Sequence, residues 1–218
     1  MRDWREANRE RSREMSREWR NRKLANASPE EIVQWALGVA KRPVITTNFR
    51  PYEATILHAV TAQRADIPVI WCDSGYNTSY TYQHAERTIQ QLNLNIDLYV
   101  PQQTAAHRDV VMGIPEPDTA EHDLFTQQVK LEPFKRAMDH HQPDVWFTNL
   151  RKGQTALRDS MDIVNIGKDG VIKVCPFYHW SDENLDAYLE AHQLESEDRY
   201  YDPTKALANR ECGLHTNN

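Results

Sequence analysis

The sequence predicts an α/β fold, a mostly parallel sheet flanked by helices. Three observations lead there. Short apolar, β-branched runs such as Val44-Ile45-Thr46-Thr47 and Pro68-Val69-Ile70-Trp71-Cys72 alternate with segments of helical periodicity. The first two of these strands run into polar loops that open helices. Strands that alternate with helices are joined by right-handed crossovers, and this makes neighbouring strands parallel. At 218 residues, one α/β domain is the simplest arrangement.

The elements follow in order. Residues 1–27 form a charged N-terminal extension in which Glu6, Glu10, Glu14 and Glu18 repeat every fourth residue, in step with Arg5, Arg9, Arg13 and Arg17. This spacing favours a solvated helix laced with ion pairs, and a mobile tail fits the composition about equally well. Trp4, Met15 and Trp19 offer a surface to a partner subunit. Ser28-Pro29-Glu30-Glu31 is a helix start with N-cap, first-turn proline and capping-box glutamate. That helix runs to about Lys41. Strand 44–47 leads through Asn48-Phe49-Arg50-Pro51 into a helix over 52–63. Strand 68–72 leads through Asp73-Ser74-Gly75-Tyr76 into a helix over 78–92. A third strand spans 95–100. Residues 102–122 are expected to hold one helical turn around 105–111 and then a long surface loop. A helix over 124–140 is expected to kink at Pro133. Strand 144–148, a basic loop over 149–158, a hairpin over 161–175 and a helix over 182–192 complete the domain, which spans 28–200. Residues 201–218 read as a mobile C-terminal tail.

Net charge of −6 argues against broad nucleic-acid binding but leaves room for a local basic pocket. No apolar run approaches eighteen residues, so no membrane span is expected. The N-terminus is too charged for a secretory signal, and the cytoplasm is the expected compartment. Cys72, Cys175 and Cys212 are far apart, which gives little support to disulfides, a tetrahedral zinc site or an iron–sulfur cluster. No bound metal or cofactor is expected.

Ligands of open parallel sheets sit outside the C-terminal strand ends. The loop 149–158 falls at that edge and carries Arg151, Lys152 and Arg158, with Gln154 between them. These cations suit an anion, and a solvated basic surface explains them equally well. Near the C-terminus, Cys212 is flanked by Arg210, Glu211 and His215. Cationic neighbours lower a thiol's pKa and so favour the reactive thiolate. An idle structural thiol is the alternative.

Several motifs resemble, in order, those of the phosphoadenylyl-sulfate (PAPS) reductases. Val44-Ile45-Thr46-Thr47-Asn48-Phe49 is similar to their modified pyrophosphate loop, and Asp73-Ser74-Gly75-Tyr76 to their Asp-Thr-Gly motif. Lys130-Leu131-Glu132-Pro133 resembles their Lys-x-Glu-Pro. Arg151-Lys152-Gly153-Gln154-Thr155 with Arg158 resembles their Arg-x-x-Gln-(Ser/Thr)-x-x-Arg loop, and Glu211-Cys212-Gly213-Leu214-His215 their catalytic motif. The chain departs from the pattern at Arg50-Pro51, where the family usually has Gly and a small or apolar residue, and at Tyr80, where an acidic residue is common. The segment before Cys212 is also short and lacks a Gly-Tyr-containing substrate segment.

The resemblance implies an adenine nucleotide alpha-hydrolase-like fold and a cluster-free reductase of an adenylyl sulfonucleotide. PAPS or adenylyl sulfate (APS) is the substrate, and the short tail leaves the choice between them open. Cys212 and His215 are the implied catalytic residues. Thr46, Thr47, Asn48, Phe49, Arg50, Asp73, Gly75, Lys130, Arg151, Lys152, Gln154 and Arg158 are the implied substrate contacts. Reduced thioredoxin or glutaredoxin is the implied electron donor, and a homodimer is expected. Two other readings use the same fold: an ATP pyrophosphatase that adenylates its substrate, and a non-catalytic nucleotide-binding regulator.

Overall fold

The structure, a computed structural model, describes residues 2–167 and 169–205. The candidate catalytic pair Cys212 and His215 lies outside the described residues. Among the described residues six strands form one sheet: β1 (Pro43–Thr47), β2 (Val69–Cys72), β3 (Ile96–Tyr99), β4 (Val145–Phe147), β5 (Val164–Ile166) and β6 (Ile172–Val174). Their spatial order is β3-β2-β1-β4-β6-β5. All neighbours are parallel except β5 and β6, which form the expected hairpin. The chain moves outward from β1 through β2 to β3, then returns to place β4 on the other side of β1. That reversal opens a crevice at the C-terminal ends of β1 and β4, the place where such sheets bind ligands.

Alternation along β1 sends side chains to both faces. Ile45 packs with α2 (Pro29–Val39), α3 (Glu53–Thr61) and α9 (Asp182–Ala191), while Val44 joins Ile70 and Trp146 beneath α7 (Glu132–His141). Each fully buried side chain of this size stabilises the fold by about 1.5–3 kcal/mol. Ser28 caps α2 through the complete capping box that its sequence suggests. Thr78 caps α4 (Ser79–Leu92).

Three regions differ from the sequence expectation. The extension is the helix that its charge spacing favours, α1 (Arg2–Leu24), and the difference is that it docks on its own chain. The Asn21 amide donates to Val164 O and accepts from Val164 N, both at 2.8 Å. It thereby supplies the pairing that a further strand would give the exposed edge β5. Met15 and Trp19 remain exposed.

The helix expected over 124–140 is a composite. Thr119 caps α6 (Ala120–Thr126), which passes into a π-helical turn, Gln127–Leu131, and then α7. The Glu132 N–H reaches back five residues to Gln127 O. Pro133, which has no N–H to donate, is thereby placed in the first turn of α7, where it is tolerated. Thus the surface loop after α5 (Ala105–Val111) ends at Thr119. The basic loop likewise contains a short helix, α8 (Ala156–Asp159), capped by Thr155.

The third difference is at the C-terminal side. The tail expected to be free from residue 201 is packed as far as 205. Pro203 and Thr204 are buried in a 3-10 turn, Pro203–Lys205.

Candidate active site

The crevice between β1 and β4 is a half-open cleft with about 620 Å³ of empty space, part of it open to solvent. The loop after β1 forms its floor. The Thr47 hydroxyl accepts from Phe49 N at 3.1 Å, and Asn48 Oδ1 accepts from Arg50 N at 3.3 Å. These short-range bonds hold a tight turn in which Phe49 has φ of 53° and Tyr52 φ of 66°. The turn sends the Phe49 ring inward, edge-on to Trp71 with centroids 4.9 Å apart. Phe49 therefore shapes the loop from the core, and its ring does not face the cleft. Thr46 faces it, with its hydroxyl accepting from the Trp146 indole at 2.9 Å.

Arg50 occupies the position where the resembled motif has glycine. Its Nε donates to Glu53 at 2.8 Å and its Nη2 to Asn149 O at 2.7 Å, so it ties the loop after β1 to the loop after β4. Glu53 is buried beside the cleft. Burial pushes its carboxyl up, and the Arg50 charge and hydrogen bonds from Arg50 and Thr47 act against this. The opposite charges at 50 and 53 were a readable i,i+3 signal, yet sequence reasoning did not pick out Glu53.

The basic loop divides its cations. Arg158 is 3% exposed and lines the cleft, with Nη1 donating to Gln154 Oε1 at 2.5 Å. Gln154 thus orients Arg158. Arg151 turns to α9 instead: Nη2 meets Asp182 at 2.7 Å, Nη1 meets Trp180 O at 3.3 Å, and the guanidinium lies 5.2 Å from the Tyr52 ring centroid. Lys152 is exposed, and its backbone N–H donates to Tyr178 O. Neither Arg151 nor Lys152 lines the cleft.

Lys130 enters from the π-helical turn. Its Nζ lies 2.5 Å from Asp202 and 3.2 Å from the Thr204 hydroxyl. Tyr200 accepts from the Asn48 amide at 2.8 Å, and Lys205 lines the cleft. The segment 200–205 is thus strapped across the site. Burial would raise the Asp202 carboxyl, but the Lys130 charge and bonds from Lys130 and Thr204 hold it below the ordinary range. None of these tail contacts has a local sequence signal, since each joins residues about seventy or more positions apart.

Asp73 and Gly75 form a separate support. Asp73 accepts from Gly75 N, from the Asn77 amide and from the Tyr82 hydroxyl at 2.9 Å each. Gly75 has φ of 82°, and a Cβ there would stand 3.3 Å from Ala105 Cβ. Neither residue lines the cleft. Cys72 does, but burial pushes its thiol up to about 12 despite Lys130 and Arg136. Burial likewise puts Cys175 at about 12. Both thiols stay protonated at neutral pH and are poor nucleophiles.

The cleft therefore gathers Arg50, Lys130, Arg158 and Lys205 around hydroxyl and amide donors. A set of this kind suits a polyanion. Known proteins point the same way. A family described as "Phosphoadenosine phosphosulfate reductase domain" matches residues 42–202. A phosphoadenosine 5'-phosphosulfate reductase of Synechococcus sp. is 33% identical over 177 residues, covering 80% of this chain and 76% of that protein. One from Alkalilimnicola ehrlichii is 31% identical over 220 residues, covering 89% of each. Among solved structures, phosphoadenylyl-sulfate (PAPS) reductase from Candida auris in a phosphate complex aligns with a TM-score of 0.71 at 21% identity, over 81% of this chain and 85% of that one. The NH3-dependent NAD synthetase of Campylobacter jejuni aligns with a TM-score of 0.53 at 10% identity, over 77% and 72%, which shows shared fold alone. With the family match spanning well over half of its length, the chain belongs to the phosphoadenosine phosphosulfate reductase domain family.

Proposed function

We propose that the protein reduces an adenylyl sulfonucleotide, PAPS in the first instance, to sulfite and adenosine 3',5'-bisphosphate. Arg50, Lys130 and Arg158 hold the phosphate and sulfonate oxygens, and Thr46, Thr47 and Asn48 supply neutral contacts. Gln154 orients Arg158. Asp73 and Gly75 support the neighbouring loop, while Arg151 anchors the basic loop to α9.

Cys212 is the nucleophile. Its thiolate attacks the sulfonate sulfur, forming an S–S bond as the sulfur–oxygen bond to the nucleotide phosphate breaks. The nucleotide leaves with the electron pair, and Cys212 carries an S-sulfonate. A thiolate of reduced thioredoxin or glutaredoxin then attacks Cys212 Sγ and expels sulfite. The donor's second thiol resolves the mixed disulfide, which frees the Cys212 thiolate and leaves the donor oxidised by two electrons. His215 steadies the Cys212 thiolate. This chemistry belongs to sulfate assimilation in the cytoplasm, and the active form is a homodimer.

The observation that carries this reading is the strap. Lys205 lines the cleft, and Cys212 follows it by seven residues. Seven residues reach at most about 24 Å, so the thiol is tethered within range of a ligand in the cleft and of a partner outside it. The test is to mix the protein with PAPS or APS and reduced thioredoxin and to measure sulfite. Sulfite from PAPS that disappears in Cys212→Ser supports the reading. Equal sulfite from Cys212→Ser would overturn it.

A further inference from the structure

A second cluster of side chains lies outside the nucleotide cleft. Asp97 on edge strand β3 faces His140 and His141 in the last turn of α7. One ring nitrogen of each histidine and one Asp97 oxygen lie within 4.8 Å of one another. His141 Nε2 stands 2.8 Å from Asp97 Oδ2. The Tyr99 hydroxyl is 2.6 Å from His140 Nδ1 and 3.5 Å from Asp97 Oδ2, so a phenol oxygen borders the same space. The helix α7 begins just after Lys130 and is ten residues long. Its last turn therefore lies about 15 Å along the helix axis from the end near the cleft.

The hydrogen bond to Asp97 accounts for one imidazole. Here a second packs beside it, with ring centroids 4.9 Å apart. Two imidazoles and a carboxylate make a donor set for a borderline divalent ion. The position adds to this. The last carbonyls of α7 form the negative end of its dipole, which favours a cation. The neighbouring cation, Arg136, is already held by Glu132 through bonds of 2.9 and 3.2 Å.

We propose that Asp97, His140 and His141 bind a first-row divalent transition ion of the Zn²⁺ type, joining edge strand β3 to the end of α7. Metal–nitrogen bonds of about 2.0–2.1 Å put tetrahedral donors about 3.3 Å apart. His141 and Asp97 now share a hydrogen bond of 2.8 Å and must part by about half an ångström to admit the ion, while His140, within 4.8 Å of both and exposed, has room to turn toward it. Tyr99 or a water takes the fourth position. The nitrogen donors disfavour Mg²⁺ and Ca²⁺, which select oxygen.

The test uses the full chain carrying Cys212→Ser, which removes the tail thiol as a competing soft ligand. Co²⁺ is titrated in and followed by visible absorption, then displaced with Zn²⁺. The expected result is one Co²⁺ per chain, with ligand-field bands and no thiolate charge-transfer band. His141→Ala, Asp97→Asn and His140→Gln should each weaken binding by at least about tenfold. His140→Gln changes an exposed residue and guards against misfolding as the cause. His192→Ala alters a different imidazole pair, His58 and His192 with centroids 4.3 Å apart, and should leave Co²⁺ affinity unchanged. Failure to bind Co²⁺, or wild-type Co²⁺ affinity in the three cluster variants, would overturn the proposal.

Discussion

Arg158 and Arg151 belong to the same eight-residue stretch, and the structure assigns them opposite consequences. Arg158→Ala removes a guanidinium that is 3% exposed, lines the cleft and is aimed by Gln154. A hydrogen bond to a charged group is worth about 1.5–3 kcal/mol, which is roughly 13- to 160-fold in Kd. Arg158→Lys keeps the charge but loses the planar fork, so it should recover only part of that loss. Arg151→Ala should behave differently. Its guanidinium is engaged by Asp182 and Trp180 O, outside the cleft, so nucleotide affinity should change by less than about threefold while stability falls. Asp182 is itself well exposed, which keeps the worth of that ion pair small. Calorimetric titration with adenosine 3',5'-bisphosphate, beside a urea melt of each variant, separates the two effects. Equal losses of affinity for Arg151→Ala and Arg158→Ala would refute the assignment. So would unchanged affinity for Arg158→Ala in a folded protein.

Other consequences concern the thiols, the strap and the loop after β2. Incubation with PAPS and no reductant should add one sulfonate, found by peptide mass spectrometry on Cys212. An adduct on Cys72 or Cys175, whose thiols burial pushes up to about 12, would place the chemistry on the wrong segment. A thioredoxin lacking its resolving cysteine should remain trapped on Cys212 as a mixed disulfide. Asp202 has a folded pKa below its unfolded value, so its contribution is present above that unfolded value, near pH 4, and is lost as pH falls through the folded pKa. Asp202→Asn should therefore lower the urea midpoint at pH 7 and make its decline with acid shallower, and identical pH profiles would count against the strap's ion pair. Gly75→Ala forces a side chain onto a φ of 82° against Ala105. A cost of about 1 kcal/mol or more is expected, a drop of roughly 2–4 °C in melting temperature for a domain of this size, and an unchanged melt would argue against the close approach.

Much of the fold was legible because its causes are local. Ser28, Pro29 and Glu31 start α2 through contacts three residues apart, and Asp169-Gly170 marks the turn between β5 and β6. Alternation of β-branched runs and helical periods placed β1 to β4 within a residue at each end, while β5 begins three residues later than expected. It did not reveal the π-helical turn before Pro133, because that widening depends on where the proline meets the preceding helix. The docking of α1 was hidden for a related reason: Asn21 and Val164 are 143 residues apart, and only the sheet's exposed edge explains their pairing.

The candidate site divides in the same way. Motif order and charge in the sequence mark Thr46 to Arg50, Lys130 and the loop 149–158. Side-chain direction was beyond reach. A residue's type tells what it can bond to, but its partner is set by what folding brings within about 3 Å. Phe49 turns to Trp71 because the backbone bends at positive φ, and Arg151 turns to Asp182 because α9 starts beside it. Asp202 reaches Lys130, and Asp97 reaches His141, across 72 and 44 residues. Periodicity and propensity act over one or two turns of chain, whereas the division of charges between cleft and scaffold is made by long-range packing.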